Sequence, residues 1–418
     1  MEFQEKVTSE RAVLAGLSCD LFSEEENASE STLDELEALL ETAGGVCVGK
    51  VLQNRHTPDA HSFLGDGKAE EIRELLKTQE ASLLILDNEL SPSQIRALEE
   101  LTGATVLDRS ALILDIFAQR AKTREGRLQV ELAQYRYLLP KLSGMGAGLS
   151  RLGGGIGTRG PGETKLETDR RHIRTRIQRL EQELAEVRRV RSVQRSRRQK
   201  NSIPVAALVG YTNAGKSTIL NLLTDAGIPA NDRLFDTLDT TTRQLTVSDT
   251  LSVLLSDTVG FIAKLPHHLI EAFKATLEEL QYADVLIHVV DCADPEREAH
   301  IRVAEKLIGE LAKDDTPVIL CYNQCDRVSP EELPRDREAV FLSARTGEGR
   351  ERLLAAVEKA LNCGKRQVTL LLPYALGGVV ELLHQTAKVL SCEYEQEGIR
   401  VVAVCDEETC GRYHAYLQ

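Results

Sequence analysis

The stretch AALVGYTNAGKSTILNLL, residues 206–223, constrains the fold more than any other part of the chain. The apolar run IPVAALVG ends at Gly210. Gly215, Lys216 and Ser217 follow, and STILNLLTDA continues with helical spacing. A strand that stops in a glycine loop and restarts as a helix is a building unit of α/β sheets. The G-x-x-x-x-G-K-[ST] spacing also gives that loop a chemistry. Its glycines let the backbone N–H groups of Gly210, Tyr211, Thr212, Asn213, Ala214 and Gly215 curl toward an anion, and the helix aims its positive end at the same place. Lys216 is placed to reach the β- and γ-phosphates of a nucleotide, where it would act catalytically. The Ser217 hydroxyl, with Thr218 beside it in the first helical turn, is placed to bind Mg²⁺.

Four further loops follow in an order that suits one nucleotide. LSVLLSDTVG (251–260) predicts a strand ending at Asp257, whose carboxylate can hold a metal-bound water. Thr258 and Val259 lead to Gly260, a catalytic candidate because its N–H can approach a γ-phosphate. RQLTVSDTLSVLLS (243–256) predicts a hairpin turning near Asp249. The threonine-rich segment 232–243 before it is suited to close over a triphosphate and its metal. TPVILCYNQCD (316–326) predicts a strand followed by Asn323, Gln324, Cys325 and Asp326. A buried aspartate at 326 pairs with guanine N1–H and N2–H₂ and is left unpaired by adenine, so GTP and GDP are the expected ligands. AVFLSARTGEGRERLL (339–354) brings Ser343, Ala344 and Arg345 to the last loop, where a backbone N–H of Ser343-Ala344 can meet guanine O6.

A chain of 418 residues with 42% hydrophobic content holds several packed domains. Residues 1–122 predict a small α/β domain, with strands at 47–53, 82–87 and 104–108 and helices at 68–78 and 91–103; LGDGK (64–68) is expected to be a turn. Residues 123–200 carry two seams of three- and four-residue steps, Leu128, Leu132, Tyr135, Leu139, Leu142 and Ile173, Ile177, Leu180, Leu184, Val187. They predict an antiparallel helical hairpin, the first helix kinked or ended at Pro140, joined by a glycine-rich loop over 143–164. Residues 201–363 form the expected nucleotide domain, with a mixed, mostly parallel sheet. Residues 366–418 read as a small α+β domain of β-α-β-β order.

Charge and composition narrow the function. The net charge of −14 excludes a general attraction to nucleic acid. Residues 164–200 nevertheless hold 13 Lys/Arg against 5 Asp/Glu. That block suits an anionic partner such as RNA, or a solvated helix face; the glycine loop suits a cationic probe of RNA, or a solubilising linker. No run of eighteen apolar residues is present, and the segment MEFQEKVTSERAVLAGL has no apolar signal core. Nine scattered cysteines lack metal-site spacing. A cytoplasmic protein is expected, with peripheral attachment to a membrane left open.

The motifs GYTNAGKS, FDTLD followed by TTR, DTVGF, NQCD and SA resemble those of translation-factor-class GTPases. With GGGIGTRGPGETKLETDRR and LDNELSPSQIRALEE, the chain resembles the HflX family of ribosome-associated GTPases almost from end to end. The resemblance implies GTP hydrolysis and a large ribosomal subunit as partner, in splitting, rescue or recycling of ribosomes under stress. It implies that Phe235, Asp236, Thr237, Leu238 and Asp239 close on GTP, with Thr237 as a catalytic and Mg²⁺-binding threonine beside Ser217. A monomer is expected. Gln324 stands where the family usually has lysine, and Thr240 where proline commonly follows the aspartate. Phe261 stands where many GTPases carry a water-orienting glutamine, so turnover alone is expected to be slow and raised by ribosomes. Asn213 either helps hold K⁺ or stabilises its loop. The alternatives are an ATP- or GTP-dependent RNA remodeller and a ribosome-assembly factor.

Overall fold

The computed structural model describes residues 10–23, 26–143, 161–200, 203–224, 227, 234–235, 238, 240–248, 251–264, 280–362, 366–405 and 407–418. Two compact units divide the chain. The first holds residues 1–188 with 231–239 and 259–277; the second holds 189–230, 240–258 and 278–418.

The first unit begins with β1 (Arg11–Cys19), α1 (Glu30–Ala43), β2 (Val46–Arg55), α2 (Asp66–Thr78), β3 (Leu83–Leu86), α3 (Pro92–Thr102), β4 (Thr105–Asp108) and α4 (Arg109–Arg120). The strands form a parallel sheet of order β2-β1-β3-β4. β1 is central, and Ala12, Val13, Leu14, Ala15 and Leu17 are fully buried, as a parallel strand covered on both faces requires. The acidic run 23–41 resolves into α1, whose Leu33, Leu36, Leu39 and Leu40 face inward. A reciprocal capping box between Ser29 and Thr32 starts that helix, and Gly44 ends it in the left-handed conformation. α3 starts the same way, with Ser91, Gln94 and a proline in the first turn, and stops at Gly103. The expected turn at 64–68 is instead the start of α2 at Asp66, capped by Gly65.

Two long helices follow, α5 (Arg124–Ser143) and α6 (Pro161–Lys200). Leu128, Leu132, Leu180 and Leu184 form their buried seam, with Tyr135, Ile177 and Val187 packed against it. Leu139, Leu142 and Ile173, nearer residues 144–160, are half-buried. Arg136 pairs with Glu181 at 2.7 Å and Arg176 with Glu131 at 2.6 Å across the same helices. α5 runs three residues past Pro140 to Ser143, where the loop was expected to begin. One boundary is corrected: α6 begins at Pro161, inside the predicted 143–164 loop. Proline is tolerated in a first helical turn because the N–H it lacks has no helical partner there. The intervening residues 144–160 lie outside the described residues.

In the second unit, β5 (Val205–Gly210), α7 (Lys216–Thr224), β6 (Thr241–Ser248), β7 (Leu251–Asp257), β8 (Val285–Asp291), α8 (Arg297–Leu311), β9 (Val318–Asn323), β10 (Val340–Phe341) and α9 (Arg350–Leu361) build the nucleotide fold. Its sheet has the order β10-β9-β8-β5-β7-β6; only the β6–β7 pairing is antiparallel. This is the predicted mixed, mostly parallel sheet. β5 lies inside the sheet, and Ala206, Ala207, Leu208 and Val209 are fully buried. Loops at the carboxyl ends of parallel strands are therefore brought together, where α/β folds bind ligands. β11 (Arg366–Leu372), α10 (Gly377–Thr386), β12 (Lys388–Glu395), β13 (Gly398–Cys405) and α11 (Glu407–Arg412) complete the chain. Their antiparallel sheet, β11-β13-β12, keeps the expected β-α-β-β order and adds a closing helix. Among the described residues no helix is long and apolar enough to cross a membrane.

The fully buried Leu180 should be the keystone of the α5–α6 seam. Replacing it with alanine is expected to lower local stability there by about 2–5 kcal/mol, read as faster amide exchange in α5 and α6 with β5–β9 unchanged. Unchanged exchange in both helices would show that they do not depend on the seam.

Candidate functional site

The loop between β5 and α7 is shaped by backbone constraints. Gly210 has φ 145°, and a Cβ there would lie 2.2 Å from the Val289 carbonyl oxygen. Gly215 has φ 89°, and a Cβ would lie 2.2 Å from Asn323 Nδ2. Both positions therefore demand glycine. Asn213 completes the bend at φ 62°, a region asparagine tolerates better than most residues. Asn323, at the end of β9, straps the loop: its Nδ2 donates to the Ala214 carbonyl at 2.9 Å, and its Oδ1 accepts from Ala344 N–H at 3.0 Å. Thr218 is half-buried in the first turn of α7.

Lys216 is buried, and its Nζ donates to the carbonyls of Gly210 at 3.1 Å and Tyr211 at 2.7 Å. Burial holds its ammonium down to about 8, although the Asp257 carboxylate opposes the shift. Ser217 Oγ donates to Asp257 Oδ2 at 2.7 Å, joining the start of α7 to the end of β7. The next residue, Thr258, is buried and donates to the Leu208 carbonyl at 2.7 Å. A cation, a hydroxyl and a carboxylate thus converge at the carboxyl ends of β5 and β7. An incoming triphosphate would add to the partial counter-charge that Asp257 gives Lys216, while Ser217 and Asp257 supply oxygen donors of the kind Mg²⁺ prefers.

The base-reading loops differ in two ways from expectation. Asp326 was expected buried; it is exposed, because it sits on the short 3-10 turn Cys325–Arg327 beyond the end of β9. Its Oδ1 accepts from Ser343 Oγ at 2.7 Å, which fixes its orientation. Both backbone donors expected to meet guanine O6 are already used: Ser343 N–H bonds Glu348 O at 2.9 Å, and Ala344 N–H bonds Asn323. A base carbonyl must share those bonds or take the next amide along, that of Arg345. Gln324 sits at φ 62° and donates to Asp291 Oδ2 at 2.6 Å, while its own Oε1 accepts from Arg327 at 2.6 Å. Cys325 is half-buried, and its Sγ lies 3.3 Å from the Tyr322 carbonyl.

Phe235, Leu238, Val259, Gly260 and Phe261 are buried. Asp236, Thr237 and Asp239 lie outside the described residues.

Sequence reasoning missed several neighbours of the cradle. Tyr211 stacks on His300 with ring centroids 3.6 Å apart and planes 11° from parallel. His300 in turn pairs with Asp294 at 3.0 Å. His288 on β8 is buried, and burial together with the Lys216 cation pushes its imidazole down to about 4, so it is neutral near pH 7. Burial raises the Asp291 carboxyl despite its bond from Ala293 N–H. These residues line a polar cavity of about 80 Å³ beside the loop, large enough for ordered water. The one sequence signal was HVVD (288–291), a buried strand ending in a carboxylate, as LLSD does at Asp257.

The chain matches known proteins over most of its length. Residues 30–118 match the family model described as GTP-binding GTPase N-terminal, residues 120–198 the GTP-binding GTPase Middle Region, and residues 205–324 the 50S ribosome-binding GTPase. The chain is 48% identical over 406 residues to a GTPase HflX of Lacrimispora saccharolytica, covering 96% of this chain and 95% of that one. It is 43% identical over 372 residues to the GTPase HflX of Escherichia coli, covering 88% and 87%. Among solved structures it is similar to SsGBP bound to GDP, with TM-score 0.48 and 22% identity, covering 85% of this chain and 99% of that one.

The buried Lys216 makes nucleotide binding proton-linked. Above pH 8 the free protein carries a growing share of neutral Lys216, and a bound polyphosphate raises its pKa again. Binding at pH 9 is therefore expected to take up nearly one proton, and at pH 7 almost none from this group. Calorimetry in buffers of different ionisation enthalpy counts those protons, with Lys216→Met as the control that loses the uptake. Equal uptake in the two proteins would assign it elsewhere.

Proposed function

Because the chain belongs to the HflX family of GTPases, we propose that its GTP hydrolysis drives a switch acting on the large ribosomal subunit, in splitting, rescuing or recycling ribosomes under stress. The observation that carries the nucleotide half of this reading is the convergence of Lys216, Ser217 and Asp257 at the ends of β5 and β7, with Asn323 strapping the loop. Lys216 neutralises the β- and γ-phosphates. Ser217 and Asp257, the latter through water, would hold Mg²⁺ with Thr237 as a further ligand, and the ion would supply charge neutralisation at the phosphates. Gly260 offers its N–H to the γ-phosphate. Asp326, oriented by Ser343, reads guanine.

Phe261 is buried, and a phenyl ring cannot orient water. Turnover alone is therefore slow, and the ribosome completes the site. The four sequence segments have distinct tasks in this scheme: 201–363 turns over GTP, 123–200 contacts ribosomal RNA, and 1–122 and 366–418 flank them. The RNA-facing surface is the basic side of α6, where Arg171, Arg174 and Arg179 are exposed. The protein acts as a monomer in the cytoplasm. On sucrose gradients, it is expected to move with large subunits when given a non-hydrolysable GTP analogue and to leave them with GDP. Deleting residues 145–160 should abolish that co-sedimentation and spare GTP binding. Co-sedimentation independent of nucleotide, or surviving the deletion, would overturn the assignment and leave room for an assembly factor or RNA remodeller.

Asn213, exposed at the bend of the cradle, is proposed to help hold K⁺ near the developing phosphate charge. Turnover is then expected to be faster in potassium than in sodium salts at equal ionic strength, and Asn213→Ala should remove the difference. Equal rates for the wild type in the two salts dismiss the role.

A further inference from the structure

Resting on this GTPase reading, we infer that His300 is a positioning residue for the phosphate cradle: through the Tyr211 ring it fixes the loop after β5 in the shape that receives a β-phosphate. Every residue involved belongs to the second unit.

The loop has little of its own to hold it. Between Gly210 and Gly215 stand Tyr211, Thr212, Asn213 and Ala214, and the tyrosine is the one large side chain among them. Gly210, at φ 145°, has no Cβ to restrict how the loop leaves β5. The direction it takes matters to the chemistry. The Tyr211 carbonyl accepts from Lys216 Nζ at 2.7 Å, the shorter of that ammonium's two bonds to the loop, and from Ala214 N–H at 3.4 Å. Whatever holds Tyr211 therefore holds both the nearer partner of Lys216 and the turn that aims the loop's N–H groups.

One end of the loop is strapped by Asn323 through the Ala214 carbonyl. The other end is held by a side chain. The Tyr211 ring is buried and lies face to face with the His300 imidazole, centroids 3.6 Å apart and planes 11° from parallel. The imidazole is itself fixed. Its Nδ1 pairs with Asp294 Oδ2 at 3.0 Å, and this hydrogen bond is the first cause holding the Asp294 carboxyl below its ordinary range. Asp294 Oδ1 accepts from Glu296 N–H at 2.8 Å, which ties the carboxylate to the backbone just ahead of α8. α8 packs on β5 and β8 and buries Ile301, Ala304, Leu307, Ile308 and Leu311, so the imidazole stands on a rigid element.

A stack that only filled space would leave nucleotide affinity alone as long as the fold is intact. A stack that positions the loop would not. Without it, the segment after Gly210 has more orientations open to it, and the nucleotide must order that segment on binding. The cost enters the affinity. It falls on the β-phosphate contact, since the base is read elsewhere, by the turn after β9.

The test is the GDP affinity of the full chain, together with the phosphorus NMR spectrum of bound GDP. His300→Ala is expected to weaken GDP binding by roughly three- to tenfold and to disturb the β-phosphate resonance more than the α. His300→Phe keeps a flat ring and should stay within about twofold of the wild type. Tyr211→Leu removes the same stack from the other side, and tests the point should the alanine variant fold poorly. The double substitution should lose no more than the larger single loss, because both remove one contact. Wild-type affinity in both His300→Ala and Tyr211→Leu, a loss in His300→Phe as large as in His300→Ala, or additive losses in the double variant overturns the inference. If the wild-type protein binds neither GDP nor a GTP analogue, the GTPase reading itself fails.

Discussion

The site is organised around one ammonium group that the fold keeps from water. Lys216 has two backbone carbonyls as hydrogen-bond partners and lies too deep for bulk solvent. Depressing a lysine from its usual range to about 8 corresponds to a penalty of roughly 3 kcal/mol against its charged form. The surroundings hold that penalty in place. His288 is neutral and cannot compensate, and the Asp257 carboxylate opposes the penalty without overcoming it. An anion of high charge density relieves the penalty, whereas a neutral ligand does not. Selectivity for polyphosphate thus follows from burial as much as from the shape of the loop.

That shape was legible in the sequence because it rests on local rules. Gly210 and Gly215 are needed where a Cβ would strike a neighbour, and the following helix needs no distant partner to start at Lys216. The hairpin seam was legible because a repeating step of three and four residues has one geometric meaning, and Leu128, Leu132, Leu180 and Leu184 pack as that step requires. β1 was not. Its apolar run follows charged residues and has no alternation, because a central parallel strand is buried on both faces and has no polar side to announce it. α1 was hidden by its own solvated face, whose acidic residues read as a charge run.

Features set by long-range packing were illegible for a different reason. Nothing near Ala344 in the chain shows that its N–H is given to Asn323, and nothing near Lys264 points to Asp87, 177 residues away. The exposure of Asp326 was missed because a motif specifies which residue faces a base, not how deep the turn carrying it lies. The mixed parallel sheet was predictable from strand order; the assignment of 231–239 and 259–277 to a unit begun by other elements was not, since composition does not change at residues 230 or 258.

Gln324 shows how a departure from a family pattern can be absorbed. A lysine stem at this position would cover the guanine ring and leave its ammonium to find an acid. The glutamine instead uses its amide at both ends, donating to Asp291 and accepting from Arg327, and so ties the turn after β9 to the end of β8. Burial raises the Asp291 carboxyl, and a hydrogen bond from a neutral amide suits that acid in either protonation state, whereas a lysine would require it ionised. The substitution thus fixes the turn, and Asp326, held by Ser343 on that same turn, keeps the orientation that the proposed reading of guanine needs.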